Sequence, residues 1–374
     1  MRTSKGMLII QMRRLPETIT NENRSGRRKT IGKILILAGL LVLLNTGLCQ
    51  VLEPYKSSSL EMWEGFHAQE SLDTVYTGTS QCLLGIDPAI LDATRSTQSY
   101  NMATNMQSLA NSKEAIASAI REYGIRHAVL VVDHELLDTK RSENGRADQS
   151  FWHGKAAAES SVTMRMADDL RFMTSRAFFG TPSSITYLMP WVYNRTSNVK
   201  LTLQEKRAGR ILDASGHRTQ KGFQPSKQEL SQDASFISWE EADEWDQVAV
   251  SLQDLCISEE NLEELRSIRD LCSRENVELT VIVIPYPNWL SIYRKKEYLA
   301  ADTQLRELFA EADADFYDFN LILPEYYDAS GNEYYSDVGH MNQKGAERFS
   351  AFLADFLTAR EQGEDVGSWF RTMS

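Results

Sequence analysis

Cysteine is scarce in this chain, with four in 374 residues: Cys49, Cys82, Cys256 and Cys272. That excludes a small fold stapled by disulfides. Cys82, Cys256 and Cys272 are expected as buried thiols, with a Cys256–Cys272 bridge as the alternative outside a cell. Positive charge is short after position 52, where 31 Lys and Arg face 50 Asp and Glu, a net of −19. Nucleic-acid binding depends on neutralising phosphates, so this balance argues against that whole class of partner. No internal repeat is present, and one long hydrophobic run stands alone.

That run is "ILILAGLLVLLNTGLCQVL", residues 34–52, without a single charge. A bilayer takes about 20 such residues to cross. Asn45, Thr46 and Gln50 weaken its second half. Ahead of it, residues 1–33 carry nine Lys and Arg against Glu17 and Glu22. A cleaved signal peptide rarely has so long a basic leader, and "TGLC" lacks the small residue that a lipoprotein cleavage site places before Cys49. An uncleaved single-pass anchor is therefore expected at 34–52. The basic tail 1–33 would lie in the cytoplasm and 53–374 outside it. A cleaved signal is the alternative.

The exported part alternates in period. "DTVYTG" (73–78), "QSYNM" (98–102), "HAVLVVD" (127–133), "LTVIVIPY" (279–286) and "ADFYDFN" (314–320) read as strands. Apolar runs of this kind suit a parallel sheet. Asp87 and Pro88 open a helix as cap and first-turn residue. Leu109, Ile116, Ile120 and Tyr123 share a helical face that Gly124 ends. Leu262, Leu265, Ile268 and Cys272 form another such stripe, and Ala346, Phe349, Leu353 and Phe356 a third. The alternation implies an α/β sandwich around a mainly parallel sheet. Residues 138–256 interrupt it as an insertion. Within it "RMADDLRFMTSRAFF" reads as helix, and the polar stretch 195–235 is expected to be a cover whose deletion spares the fold. "KGFQP" (221–225) reads as a turn.

In "VYTGTSQCLLGIDPAIL" (75–91) the strand breaks at Gly78 and a serine, Ser80, stands on the bend. Turn residues are common there, so the stretch decides nothing by itself. Near the other end, "YYSDVGHMNQKGAERFSAFL" places Asp337 three residues before His340, ahead of the last helix. Loops that follow the strands of an open α/β sheet gather at one edge. Ser80 and His340 can therefore meet. A serine hydroxyl becomes a nucleophile when an imidazole takes its proton, and a carboxylate on the other ring nitrogen orients that imidazole. Asp337 can fold back onto His340 within one loop.

"GTSQCLLGIDPAIL", "SYNMATNMQSL" and "DVGHMNQKGAERFSAFL" together resemble the SGNH-hydrolase-like proteins. The similar branch includes alginate O-acetylation proteins and the DltD-type proteins of teichoic-acid D-alanylation. The resemblance covers residues 73–133 and 278–357. It implies a flavodoxin-like three-layer sandwich with a mainly parallel five-stranded sheet. It also implies an extracytoplasmic serine-dependent O-acyltransferase or esterase acting on hydroxyls of a cell-surface polysaccharide or cell-wall polymer. Ser80 would be the nucleophile, His340 the base and Asp337 its orienting acid, with Ser80 and Asn101 (beside Met102) at the oxyanion. The implied partner is a multispanning membrane-bound O-acyltransferase. Two departures stand out: G-T-S-Q replaces G-D-S, and "VVDHELL" lacks the asparagine of a G-x-N-D block. Losing one oxyanion donor typically costs about two to three powers of ten in rate. A non-catalytic binding or assembly subunit of the same fold is the rival reading.

Several further residues are candidates for the pocket. Gln81 follows the serine, and His134 ends the third strand. Trp191, Tyr193 and Arg195 in "PWVYNR" suit a sugar ring or an anionic group, or an aromatic packing cluster. Asp133, His134 and Glu135 are adjacent, and successive strand residues point opposite ways, so no metal is expected, nor any cofactor. Asn194-Arg195-Thr196 is a formal glycosylation sequon. The net acidity favours a neutral glycan over a polyanion.

Overall fold

The computed structural model describes residues 17–138, 145–180, 184–213, 216–230, 255–310 and 314–371, with positions 237, 239, 241, 242 and 244. The chain forms two compact units, 1–52 and 53–374. The described part of the first is one helix, α1 (Glu17–Leu52), whose stretch Arg28–Leu52 is long and apolar enough for a membrane span or a signal sequence.

The second unit is an α/β sandwich. Its five strands are β1 (Thr74–Gly78), β2 (Ser99–Asn101), β3 (His127–Val131), β4 (Glu278–Val283) and β5 (Asp315–Asp318). They pair in the order β2-β1-β3-β4-β5, and every pairing is parallel. This is the flavodoxin-like order, in which the chain reverses its direction of growth between β1 and β3. Alternate strand residues face opposite layers. Val75, Ala128, Leu130, Val281 and Val283 bury against one layer: α5 (Leu109–Tyr123), α12 (Glu259–Arg274) and α13 (Lys295–Ala310). Tyr76, Val129, Val131 and Ile282 meet the other: α3 (Ser80–Gly85), α4 (Pro88–Arg95) and α14 (Gln343–Glu361).

The helix ends follow local chemistry. Asp87 accepts from Ala89 N–H at the start of α4, Ser108 from Asn111 N–H before α5, and Ser258 from Asn261 N–H before α12. Gly124 stops α5 in the left-handed region, where a residue without a Cβ is least strained. The expected second strand, 98–102, is present as a three-residue edge strand.

The insertion leaves the sandwich after α6 (His134–Asp138) and returns at Ser258, whose N–H donates to Leu137 O at 3.0 Å. Its described helices are α7 (Gly145–Ala158), α8 (Val162–Met173), α9 (Arg176–Gly180), α10 (Pro190–Tyr193) and α11 (Val199–Ala208). α7 packs on α2 (Ser58–His67), which precedes the first strand.

One expectation fails here, and the hydrogen bonds of 218–230 oppose a second. Cys256 is exposed between buried Leu255 and Ile257; Cys82 and Cys272 are buried, and all are free thiols. The stretch 195–235 is more than a cover. Its residues 218–230 are stitched to the sheet edge and to the C-terminal loop: Asn101 N–H donates to Lys221 O (2.9 Å), Gln224 N–H to Leu83 O (3.1 Å) and Leu230 N–H to Tyr335 O (2.9 Å). Phe223 is buried there.

Candidate active site

β1 ends at Gly78, with φ at +153°. A Cβ at this position would stand 2.3 Å from Val131 O of β3, so glycine alone lets the two strands run this close while the chain turns. Thr79 then caps α3, and Ser80 is the first residue of that helix. Its N–H is one of the first-turn donors that a helix leaves without an intrahelical acceptor.

The partner loop is equally local in origin. Tyr335 and Met341 pair as an antiparallel bridge, and Ser336 N–H donates to His340 O at 2.9 Å. Asp337 Oδ1 accepts from Gly339 N–H at 2.8 Å, an Asx turn. Asn342 closes the loop by capping α14, its Oδ1 accepting from Gly345 N–H. Within this turn Asp337 Oδ1 lies 2.8 Å and Oδ2 3.1 Å from His340 Nδ1. His340 Nε2 lies 2.8 Å from Ser80 Oγ, across 260 positions of sequence. The imidazole is 30 % and the carboxylate 51 % exposed, so the line is open to solvent along its acid end. An exposed carboxylate orients its imidazole less firmly than a buried one, because water competes for its oxygens.

Gln81 is buried and spans the two halves: its Nε2 donates to Gly339 O at 3.3 Å. It thereby ties the serine turn to the Asp337–His340 loop. Asn101 is placed otherwise than at an oxyanion. Its Nδ2 donates to Cys82 O (2.8 Å) and Ile86 O (2.9 Å), and its N–H donates to Lys221 O. Every donor of Asn101 is engaged, the side-chain amide on α3 and its C-cap and the backbone N–H on Lys221, so none is left for a substrate.

His134 is a second departure. It is fully buried at the start of α6, 4.3 Å from the Tyr298 ring by centroids, and neither ring nitrogen has a hydrogen-bond partner among the described residues. It lines no pocket mouth; the short helix that follows β3 turns the side chain into the core. Burial pushes its imidazole down to about 3, and that of His127 down to about 4. The unfolded chain protonates both near pH 6.5. The stability that comes from keeping these rings neutral is full above pH 6.5 and drains as pH falls toward the folded values. Asp318, raised by burial to about 7, acts oppositely: it stays protonated in the fold while the unfolded carboxyl ionises near 4, so its contribution declines as pH rises through that window. Asp87, Asp133 and Asp302, also raised by burial, act with Asp318, so the His134 effect is read as a difference between two proteins. From pH 7.5 to pH 4.5 the urea midpoint of His134→Phe should rise relative to that of the wild type, with no loss at pH 7.5. A constant difference across that range would remove His134 as a pH-sensitive group.

Tyr193 and Asn194 border a cleft of about 320 Å³ together with Thr104, Asn105 and Arg146. Thr104 N–H donates to Gly78 O, which puts this cleft beside the end of β1. Tyr193 OH donates to Tyr187 O at 3.1 Å, Trp191 is half-buried, and Arg195 is exposed. Among the described residues no cluster of side chains suits a metal.

A group that the sequence argument weighed only as a metal ligand holds the serine turn. Asp133 is buried at the end of β3; its Oδ2 accepts from Thr79 Oγ1 (3.1 Å), and its Oδ1 from Glu135 N–H (2.9 Å) and Tyr286 OH (3.3 Å). Burial raises its carboxyl above the usual range, opposed by those three donors and by nearby His340. An acidic residue closing an apolar strand run was the available signal. Asp133→Ala strands two buried hydroxyls, at about 1–3 kcal/mol each. The variant should lose about 2–6 kcal/mol of stability and react more slowly at Ser80. Asp133→Asn, which keeps an acceptor for Glu135 N–H, should recover most of the stability. Calorimetry beside probe-labelling rates reads both effects.

The sequence matches no protein-family model and no curated protein. Among solved structures, the chain is similar to a "putative platelet activating factor" from Streptococcus pneumonia, at 11 % identity over 86 % of this chain and 99 % of that one, with a TM-score of 0.39. It is also similar to a "putative acylhydrolase" from Bacteroides fragilis, at 8 % identity over 77 % and 86 %, with a TM-score of 0.32. The fold assignment stands on the strand order, and the site on its own distances.

Proposed function

We propose that this chain is a serine-dependent acyl-transfer enzyme, held at the outer face of a membrane by its N-terminal apolar helix. The observation that carries the proposal is the unbroken line Ser80 Oγ–His340 Nε2–His340 Nδ1–Asp337, each step at 2.8 Å. In the first half-reaction His340 Nε2 takes the Ser80 proton as Oγ attacks an ester carbonyl. The donor alcohol leaves with that proton, and the acyl group stays on Ser80. In the second, His340 deprotonates an acceptor hydroxyl, which takes the acyl group and frees Ser80. Asp337 keeps the proton on Nδ1, so that Nε2 starts each half as a base. Oxyanion stabilisation falls to the Ser80 N–H and its helix turn, because Asn101 is engaged elsewhere. Slow turnover is the consequence.

The acceptor we infer is a neutral polysaccharide or cell-wall polymer bearing free hydroxyls, and the acyl donor side belongs to a multispanning membrane-bound O-acyltransferase. Both follow from the resemblance of residues 73–133 and 278–357 to the membrane branch of the SGNH-like proteins. Incubation with 4-nitrophenyl acetate and short neutral oligosaccharides separates the outcomes. Acetylated oligosaccharide identifies a transferase, and free acetate alone identifies an esterase. Folded protein with neither product, with or without the membrane acyltransferase, identifies a non-catalytic assembly subunit.

A further inference from the structure

The insertion carries a surface that acyl transfer at Ser80 does not use. α8 is inverted relative to an ordinary surface helix. It turns Asp168 and Phe172 inward, whereas Val162, Met166 and Leu170, spaced four apart on the opposite side, are 69, 65 and 62 % exposed. Its orientation is held from beneath. Buried Lys155 of α7 pairs with Asp168 at 2.6 Å and with Glu114 at 3.2 Å. The Phe172 ring lies 5.7 Å from Phe178 and 4.7 Å from Tyr187. The same apolar knot therefore carries α9 and the turn Ser184–Leu188, which expose Phe179 and Ile185. Exposed apolar groups in such number on one small subdomain mark an interaction surface.

Charge identifies the occupant. Residues 161–210 hold eight Lys and Arg against three acidic side chains, a net of +5 inside a unit whose net is −19. Asp168 and Glu205 are buried, and Asp169 is bonded to Tyr187 OH. The charges left outermost, Arg165, Arg176, Arg195 and Lys200 among them, are cations. Apolar side chains flanked by cations suit the headgroup region of an anionic bilayer, where the first enter the acyl boundary and the second meet lipid phosphate. A polyanionic polymer would satisfy the cations and leave the apolar groups in water.

We propose that the outward face of α8, α9 and the turn 184–188 rests in the headgroup layer of an anionic lipid bilayer. The proposal rests on these side chains and charges, and not on the apolar helix being retained as an anchor. The test uses the full chain in vesicles, with Cys49→Ser and Cys256→Ser removing the accessible thiols. An environment-sensitive fluorophore is placed on Met166→Cys, and in a second preparation on Glu263→Cys, exposed on α12. Unchanged urea midpoints verify the fold of both. With phosphatidylglycerol present, the Met166→Cys label should shift to the blue and lose most of its emission to spin-labelled lipid, while the Glu263→Cys label keeps its aqueous spectrum. Zwitterionic phosphatidylcholine vesicles, of zero net charge, should weaken the effect. Matching aqueous spectra at both positions in anionic vesicles would overturn the proposal, leaving a protein partner for this face. An alkali wash reports the anchor separately: a chain that the wash removes, but whose Met166→Cys label was quenched before the wash, refutes the anchor and not the docking face.

Discussion

Ser80→Ala is expected to abolish labelling of the protein by a fluorophosphonate and to lower ester turnover at least about 10⁴-fold, because it removes the atom that forms the covalent bond. His340→Ala should match it. Ser80 Oγ has one strong partner, His340 Nε2 at 2.8 Å, and without that imidazole the hydroxyl keeps its proton. Combining the two substitutions should cost little more than either alone, as groups that act as a unit lose activity together. Asp337→Asn should be milder, lowering turnover by about 10²- to 10⁴-fold. The loss comes from the wrong tautomer, and the carboxylate is half exposed, so water replaces part of its effect. Labelling that persists in His340→Ala at the wild-type rate would show that Ser80 is activated by something else. Absence of labelling in folded wild-type protein would leave the line a structural hydrogen-bond chain.

The second large effect is on folding. Arg218→Met should destabilise the chain by about 3–5 kcal/mol, through loss of charge-assisted bonds and the stranding of buried carbonyls. The Arg218 guanidinium reaches Ser58 O (3.0 Å), Gly222 O (2.8 Å) and Ala103 O (2.5 Å). It therefore joins the start of α2, the loop after β2 and the segment 218–230. Gly222→Ala should be comparably severe, since φ is +85° and a Cβ would stand 2.2 Å from Asn101 O. Deleting 195–235 should abolish the cooperative unfolding transition. Because Leu230 N–H reaches Tyr335 O and Gln343 N–H reaches Ser226 O, these variants should also loosen the Asp337–His340 loop and slow labelling of Ser80. A deletion variant that melts cooperatively at the wild-type temperature would show this segment to be dispensable.

The sequence by itself determined whatever is written within one element. Continuous apolar runs specify buried strands, and a 3.6-residue stripe with a Ser, Asp or Asn cap specifies each helix, because period and capping are local properties of the backbone. The serine bend after Gly78 and the Asp337-x-x-His340 turn were legible for the same reason, each being a single tight loop. Only the tertiary structure decided what depends on register between distant segments. The strand order brings Asp133 beneath Thr79 and His340 against Ser80, over separations of 54 and 260 positions. It also consumes the donors of Asn101 on α3, turns His134 into the core, and builds 218–230 into the sheet edge. None of these has a local pattern, since each is settled by which polar group is nearest when the apolar faces close. The inverted polarity of α8 is of the same kind: its sequence reads as an ordinary amphipathic helix, and the buried Lys155–Asp168 pair together with the packing of Phe172 on Phe178 and Tyr187 determines that the apolar side faces out.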